Sequence, residues 1–328
     1  MRDGGRVTIL DVAARVGVHA GTVSRALNRP EQVAPETRAR VEAAVLELGF
    51  VPNRAARGLI TGRTGNLAVI VPDITNPYFA SLVRSVERAA RGADLQVLLA
   101  DTGEHRDEEV RAARALAGDV DGIIVLSPRR LHRELDALGS TPTVFVNRRV
   151  AQRPSVLLRS AAAAGEALRH LAELGHRTLA YLGGPQGSWA AVERRDAVRR
   201  TAKTAGVQLV EVPLATPTFE AAVEAVDLVV ASAATAVMGF NDLVALGVLS
   251  GLATRGIAVP ADVSVVGCDD VPMAAMVAPP LTTIRMPTEE AGIAAVASLH
   301  EDAASTELFG TLVLRASTGP LASGPVTR

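Results

Sequence analysis

The sequence predicts an α/β protein in which a small three-helix head with a helix-turn-helix pattern precedes a two-lobed body of doubly wound parallel sheets. Three observations carry that expectation. Residues 7 to 49 hold only helix-period apolar stripes punctuated by glycine, short β-rich runs alternate with helical stretches from Asn66 onward, and the alternation runs through once before residue 160 and again after it. A chain of 328 residues, 48% of them apolar, is long enough for about two or three domains with cores of their own.

In "VTILDVAARVGVHAGTVSRALNR", Thr8 followed three residues later by Asp11 is a capping-box start, and Ile9, Val12, Ala13 and Val16 then form one apolar face. Gly17 ends that helix. A second run follows at once, with Val23 and Leu27 inward and Ala20, Gly21, Ser24 and Arg25 left outside. The third helix opens at Pro35, buries Val41, Ala44, Val45 and Leu48, and stops at Gly49. After it, Pro52 and Asn53 precede Arg54 to Ile60, about two turns, too short to be stable alone in water and weakened by Gly58. Such a basic segment reads either as a plain solvated linker or as one that orders on binding.

Charge is uneven. Residues 1–63 carry ten Arg against six Asp or Glu, a balance of +4, so the remaining chain carries −5 to reach the net −1. That asymmetry fits a polyanionic partner, although an Arg-rich composition throughout gives the same balance. The single cysteine, Cys268, excludes an intramolecular disulfide and a cysteine-based zinc site. No apolar run reaches the roughly 20 residues of a membrane span and no signal peptide is evident, so a cytoplasmic protein is expected.

In the body, "LAVIVPD", "QVLLADT", "GIIVLS" and "TVFVNR" read as strands separated by helices near 79–91, 106–117 and 130–138. "TLAYLGG", "LVEVPL", "AVMGFND" and "VSVVGCDD" repeat the pattern, with helices near 190–205, 220–231 and 243–255. Open parallel sheets bind ligands beyond the carboxyl ends of their strands. The residues at those ends are Asp73, Asp101, Ser127, Asn147 and Arg148 in the first half, and the Gly183–Gly187 loop, Asn241, Asp242, Asp269 and Asp270 in the second. Asp269 and Asp270 are adjacent and lack His or Glu at ligand spacing, which argues against metal binding or catalysis there. "GGPQG" lacks the spacing of a phosphate loop, and His176 at a helix-to-strand turn reads as a structural hydrogen-bonder. No nucleophile, base and orienter come together, and no cofactor is implied.

"VTILDVAARVGVHAGTVSRALN", "VAPETRARVEAAVLELGFVPNRAARGL", "DITNPYF", "GFNDLVALGVL" and "VPADVSVVGCDD", in that order, resemble the lactose and galactose repressor (LacI/GalR) family of bacterial transcriptional regulators over about residues 7–320. The resemblance implies that the second helix enters the DNA major groove and that a homodimer reads a pseudo-palindromic operator. Ala20, Gly21 and Arg25 match base-reading positions, with His19, Thr22 and Ser24 beside them, and Arg25 is suited to a guanine. It also makes 53–60 a hinge helix, in which Asn53, Arg54, Ala56 and Arg57 meet DNA and Leu59 wedges between base steps in the minor groove. The implied body has the fold of type I periplasmic binding proteins.

By the same resemblance Arg194 crosses the effector cleft, Asn147, Asn241 and Asp269 are polar effector contacts, and Tyr78 and Phe79 form the wall. Trp189 is placed to stack on a sugar face or to pack; Asp73, Ser127 and Arg148 join the effector set from their strand-end positions. The expected organisation is a head of residues 1–63, with the hinge at 53–60, and a body of 64–328. Within the body, lobes of about 66–160 plus 288–315 and about 161–287 are expected. The chain departs from the family at Arg159 and Ser160, where Asp-Asn is usual, at Ala197 in place of glycine, and at Cys268 in place of tyrosine. No leucine heptads follow "TLVLRASTGP", so a dimer rather than a tetramer is expected. The reading is a ligand-responsive repressor with a sugar-class effector. A transporter's solute-binding protein would share the body without the head, and a doubly wound metabolic enzyme would need a catalytic set.

Overall fold

A computed structural model describes residues 7–51, 63–299 and 304–321 of the chain. By their internal contacts the residues divide into two compact units, 1–64 and 65–328. The expected hinge segment 53–60, with Asn53, Arg54, Ala56, Arg57 and Leu59, lies outside the described residues.

The head contains α1 (Ile9–Val16), α2 (Ala20–Asn28) and α3 (Pro35–Leu48). The Asp11 carboxylate accepts the Thr8 N–H at 2.9 Å and the Thr8 hydroxyl at 2.7 Å, which fixes the start of α1. Gly17 and Gly49 end α1 and α3 in the left-handed conformation, φ 73° and 63°, where a Cβ is unfavourable. Val12, Ala13, Val16, Val23, Ala26, Val41, Ala44 and Phe50 form the buried core. Val23 and Ala26 are the buried residues of α2, and Leu27 is half-buried at its edge. Arg40 of α3 donates to the Val16 carbonyl, satisfying one of the orphan acceptors at the end of α1.

The first lobe is built on a six-stranded sheet of order β11-β5-β4-β3-β1-β2, parallel throughout. Its strands are β1 (Asn66–Val71), β2 (Gln96–Asp101), β3 (Gly122–Leu126), β4 (Thr143–Val146), β5 (Ser155–Arg159) and β11 (Thr306–Phe309). Helices α4 (Pro77–Gly92) and α5 (Arg106–Leu116) connect them. Between β3 and β4 the chain makes two 3₁₀ turns, Leu131–Arg133 and Leu135–Leu138, where one helix was expected.

The second lobe carries a four-stranded parallel sheet of order β7-β6-β8-β9. Its strands are β6 (Thr178–Leu182), β7 (Gln208–Val212), β8 (Ala236–Gly239) and β9 (Ser264–Val266). The helices are α6 (Ala161–Glu173), α7 (Trp189–Ala205), α8 (Phe219–Glu224), α9 (Val226–Ala231), α10 (Asp242–Ala253) and α11 (Pro272–Met276). The expected 220–231 helix is therefore broken at Ala225. The antiparallel pair β10 (Thr283–Arg285) and β12 (Thr311–Val313) carries the returning chain, and α12 (Thr288–Ala297) packs on α4. That contact needs glycine at 292, because a Cβ there would lie 2.3 Å from Ser85 Oγ.

His176 is buried between Thr235 Oγ1 (3.0 Å), Ser264 Oγ (3.0 Å) and the Gly319 carbonyl (3.1 Å), and burial lowers its pKa, as befits a neutral structural imidazole. Among the described residues no helix is long and apolar enough to cross a membrane, and no group of three or more His, Cys, Asp or Glu is placed to hold a metal.

Asp242, fully buried at the start of α10, accepts the Val271 N–H at 2.8 Å and the Thr283 hydroxyl, tying α10 to the starts of α11 and β10. Burial pushes its pKa up to about 6, against the two hydrogen bonds that favour the charged form. A folded pKa above the unfolded one stabilises the fold below about pH 4, and this contribution is lost as pH rises to about 6. Asp242→Asn keeps the shape and is neutral throughout. Between pH 4 and 6.5 the wild type should therefore lose about 2 kcal/mol relative to the variant in denaturant unfolding. Parallel stability curves for the two proteins would contradict this.

Candidate effector cleft and nucleic-acid interface

The site between the lobes begins where β1 ends. Asp73 accepts the Thr75 N–H (2.8 Å) and hydroxyl (2.6 Å), closing a turn, and Asn76 caps α4 by accepting the Tyr78 N–H at 3.0 Å. This start places Tyr78 and Phe79 on the first turn of α4, buried and edge-to-face with centroids 5.1 Å apart. Asn147 Nδ2 donates to the Tyr78 hydroxyl at 2.9 Å and to Ser127 Oγ at 3.2 Å, while its Oδ1 accepts the Leu158 N–H at 3.2 Å. Ser127 and Asn147 both have left-handed backbones, φ 47° and 58°, a strain concentrated at the mouth of the sheet. Burial and the neighbouring Asp269 carboxylate raise the Tyr78 pKa, so it stays a neutral phenol.

From the second lobe, Ser188 caps α7 by accepting the Ala191 N–H at 3.2 Å, which sets Arg194 one turn further in at 4% exposure. Arg194 donates to Ser160 Oγ at 3.1 Å and to the Phe240 carbonyl, and its guanidinium lies 4.8 Å from the Phe240 ring centroid. Asn241 caps α10 by accepting the Val244 N–H at 2.9 Å. Asp269, at φ 122°, is anchored by its N–H to the Ile284 carbonyl at 2.8 Å. Burial pushes the Asp269 carboxyl well above its ordinary range, and the Arg194 charge opposes that rise.

Tyr78, Phe79, Ser127 and Asn147 from one lobe and Arg194, Asn241 and Asp269 from the other line one cavity. Three expected residues lie elsewhere. Asp73 closes its own turn. Arg148 points away from Asn147, with its Nη2 2.7 Å from His132 Nε2, and burial with the Arg148 and Arg133 charges lowers His132 to about 4. Trp189 opens α7, and its ring centroid lies 5.6 Å from the guanidinium of Arg159, which also pairs with Glu193 and Glu307. Residues the sequence reading did not single out also line the cavity, among them Leu158, Ser188, Phe240, Met286 and the salt-bridged Glu104 and Arg129. Glu104 lies three residues past Asp101 and Arg129 two past Ser127, so following the strand-end loops further would have reached both.

In the head, the outer face of α2 presents Gly21 and Arg25 exposed, with Ala20, Thr22 and Ser24 half-buried. His19 Nδ1 accepts the Gly21 N–H at 3.1 Å, and Arg25 Nη2 lies 3.5 Å from Thr22 Oγ1.

A helix-turn-helix head with a cleft-bearing, parallel-sheet body defines a DNA-binding regulator with a small-molecule site. Residues 8–53 match the family of bacterial regulatory proteins of the lacI type, and residues 168–318 match the periplasmic binding protein-like domain. The chain is 38% identical over 304 residues to the HTH-type transcriptional regulator CelR of Thermobifida fusca, covering 88% of this chain and 89% of that protein. It is 30% identical over 330 residues to the repressor CytR of Escherichia coli, covering 96% and 97%. The lac repressor dimer bound to operator and the anti-inducer ONPF superimposes with a TM-score of 0.86 at 27% identity, over 97% of this chain and all of that one. A CelR–cellobiose complex matches with a TM-score of 0.69 at 32% identity over 95% of this chain and 100% of that one. The chain belongs to the LacI family of bacterial regulatory proteins, and it is a transcriptional regulator rather than an enzyme.

The floor of the cavity at Arg129 rests on one side chain. Glu109 of α5 is buried and accepts the backbone N–H groups of Arg129 (2.8 Å), Arg130 (2.8 Å) and Leu131 (3.0 Å). Glu109→Ala strands these donors, so it should cost about 2 to 4 kcal/mol in chemical unfolding, with Glu109→Gln intermediate. A loss below about 0.5 kcal/mol for the alanine variant would show that water replaces the carboxylate.

Proposed function

We propose that this regulator binds a pseudo-palindromic operator as a homodimer and represses transcription under control of a sugar held in the cleft between its lobes. The observation that carries the reading is Arg194, a guanidinium buried in a cavity whose other polar walls come from strand ends of both lobes. Asp269 and Asn147 supply acceptors and donors on opposite walls, which suits hydroxyl groups that do both. In the head, Arg25 on the exposed face of α2 is the residue suited to a guanine edge. A DNA-binding regulator works in the cytoplasm, where the operator is. The presence of the head disfavours a transporter's solute-binding protein, and the polar cleft groups form no catalytic set.

Sugar occupancy changes operator affinity only if the sugar binds one lobe placement better than another, and about 1 to 3 kcal/mol of difference gives a roughly 5- to 150-fold effect. Cellobiose, present in the CelR complex, heads the saccharides to screen by thermal shift. Asp269→Ala and Arg194→Ala should each retain operator binding without sugar, lose at least about tenfold in sugar affinity and lose the response. The measurement is an operator titration with and without the sugar. A variant that still responds at the wild-type sugar concentration removes its residue from the proposed site.

A further inference from the structure

At the first-lobe end of the cavity, away from Arg194 and Asp269, stands a salt bridge with features beyond those needed to hold two loops together. Arg129 Nη2 donates to both oxygens of Glu104, at 2.7 and 3.0 Å, with the arginine side chain only 6% exposed and the carboxylate 33%. The Arg129 Nε–H is buried with no hydrogen-bond partner, an arrangement that costs free energy unless a ligand rearrangement uses it. Glu104 sits at φ 63°, held by its N–H to the Pro72 carbonyl at 2.6 Å, and Glu109 fixes the Arg129 backbone. Both ends of the pair are therefore positioned by other groups, and both line the cavity.

The cavity balances its basic and acidic groups in number. Its walls carry two guanidiniums, Arg129 and Arg194, and two carboxyl groups, Glu104 and Asp269, and the Asp73 and Glu109 charges act on Glu104 as well. A phosphate ester bound here would find no cation without a nearby acid, and burying its charge beside Glu104 would be unfavourable. A neutral polyol meets the opposite situation, because adjacent hydroxyls can donate to a carboxylate and accept from a guanidinium in one plane.

We infer that the Glu104–Arg129 pair is a specificity element that reads a vicinal hydroxyl pair of a neutral saccharide and rejects phosphorylated sugars. This rests on the cavity being the effector site. A merely structural bridge would contribute to stability without discriminating between ligands.

The test is calorimetric titration of the full chain with cellobiose, glucose, galactose, maltose and ribose, each beside a phosphate ester of the same sugar. The neutral sugar should be the tighter ligand in each pair that binds, by at least about tenfold, and Glu104→Gln should weaken it by about tenfold while narrowing the gap to its ester below about threefold. Arg129→Met should lose the neutral sugar by at least as much, with melting temperatures of both variants recorded to show that they fold. An ester that outcompetes its parent sugar, a panel in which no neutral sugar binds, or a folded Glu104→Gln with unchanged affinities and gap would overturn the inference. If Asp269→Ala abolishes sugar binding while Glu104→Gln changes nothing, only the role of the pair fails; if neither matters, the cleft assignment itself fails.

Discussion

The body is organised around one buried positive charge. Arg194 is almost completely removed from water, yet its hydrogen bonds go to a hydroxyl and a backbone carbonyl rather than to a carboxylate. The Phe240 ring face and the nearby Asp269 charge complete its surroundings. Such a charge is tolerable only where fixed dipoles replace its hydration, and it leaves donor capacity facing the cavity. The cap at Ser188, the crossover at Ser160 and the turn carrying Phe240 and Asn241 can be understood as what holds that guanidinium in place.

The same constraint links the lobes. Arg194 reaches Ser160 at a crossover between the two sheets, and Arg106 of α5 donates across to the Gln186 carbonyl in the loop after β6 at 3.0 Å. The glycine loop 183–187, which lacks phosphate-loop spacing, is thus a contact point for the opposite lobe. Its Gly184 is required by packing, since a Cβ there would lie 2.4 Å from the Phe240 ring. The head has a separate small core, so the chain pairs an independent reading module with a body whose interior polar groups converge on one cleft.

Much of this was legible in the sequence wherever the signal was local. Thr8 with Asp11, Gly17, Pro35 and Gly49 marked helix ends through capping and backbone conformation, which depend only on near neighbours. The strand ends pointed to the cleft because parallel-sheet topology alone places them together. Side-chain direction was not legible from composition: β4 ends at Val146, Asn147 turns into the left-handed region and enters the cavity, and its neighbour Arg148 points to His132. Trp189 falls at a helix start beside Arg159. The 130–138 region has helical apolar spacing, yet the chain there makes two 3₁₀ turns, with the N–H groups of Arg130 and Leu131 at its start donating to Glu109. Glu104 and Arg129 each lie within reach of a strand end in sequence, but their pairing across 25 residues is visible only in the structure.

The central claim is that occupancy of the Arg194 cleft selects one placement of the lobes. It is tested most directly by measuring an inter-lobe distance with spin labels at His105→Cys and Val192→Cys, two exposed positions on opposite lobes, in a protein whose sole native cysteine is buried. Saturating sugar should move or sharpen the distance distribution in the wild-type background and leave it unchanged in Arg194→Ala. An identical distribution with and without bound sugar in the wild type would contradict the account.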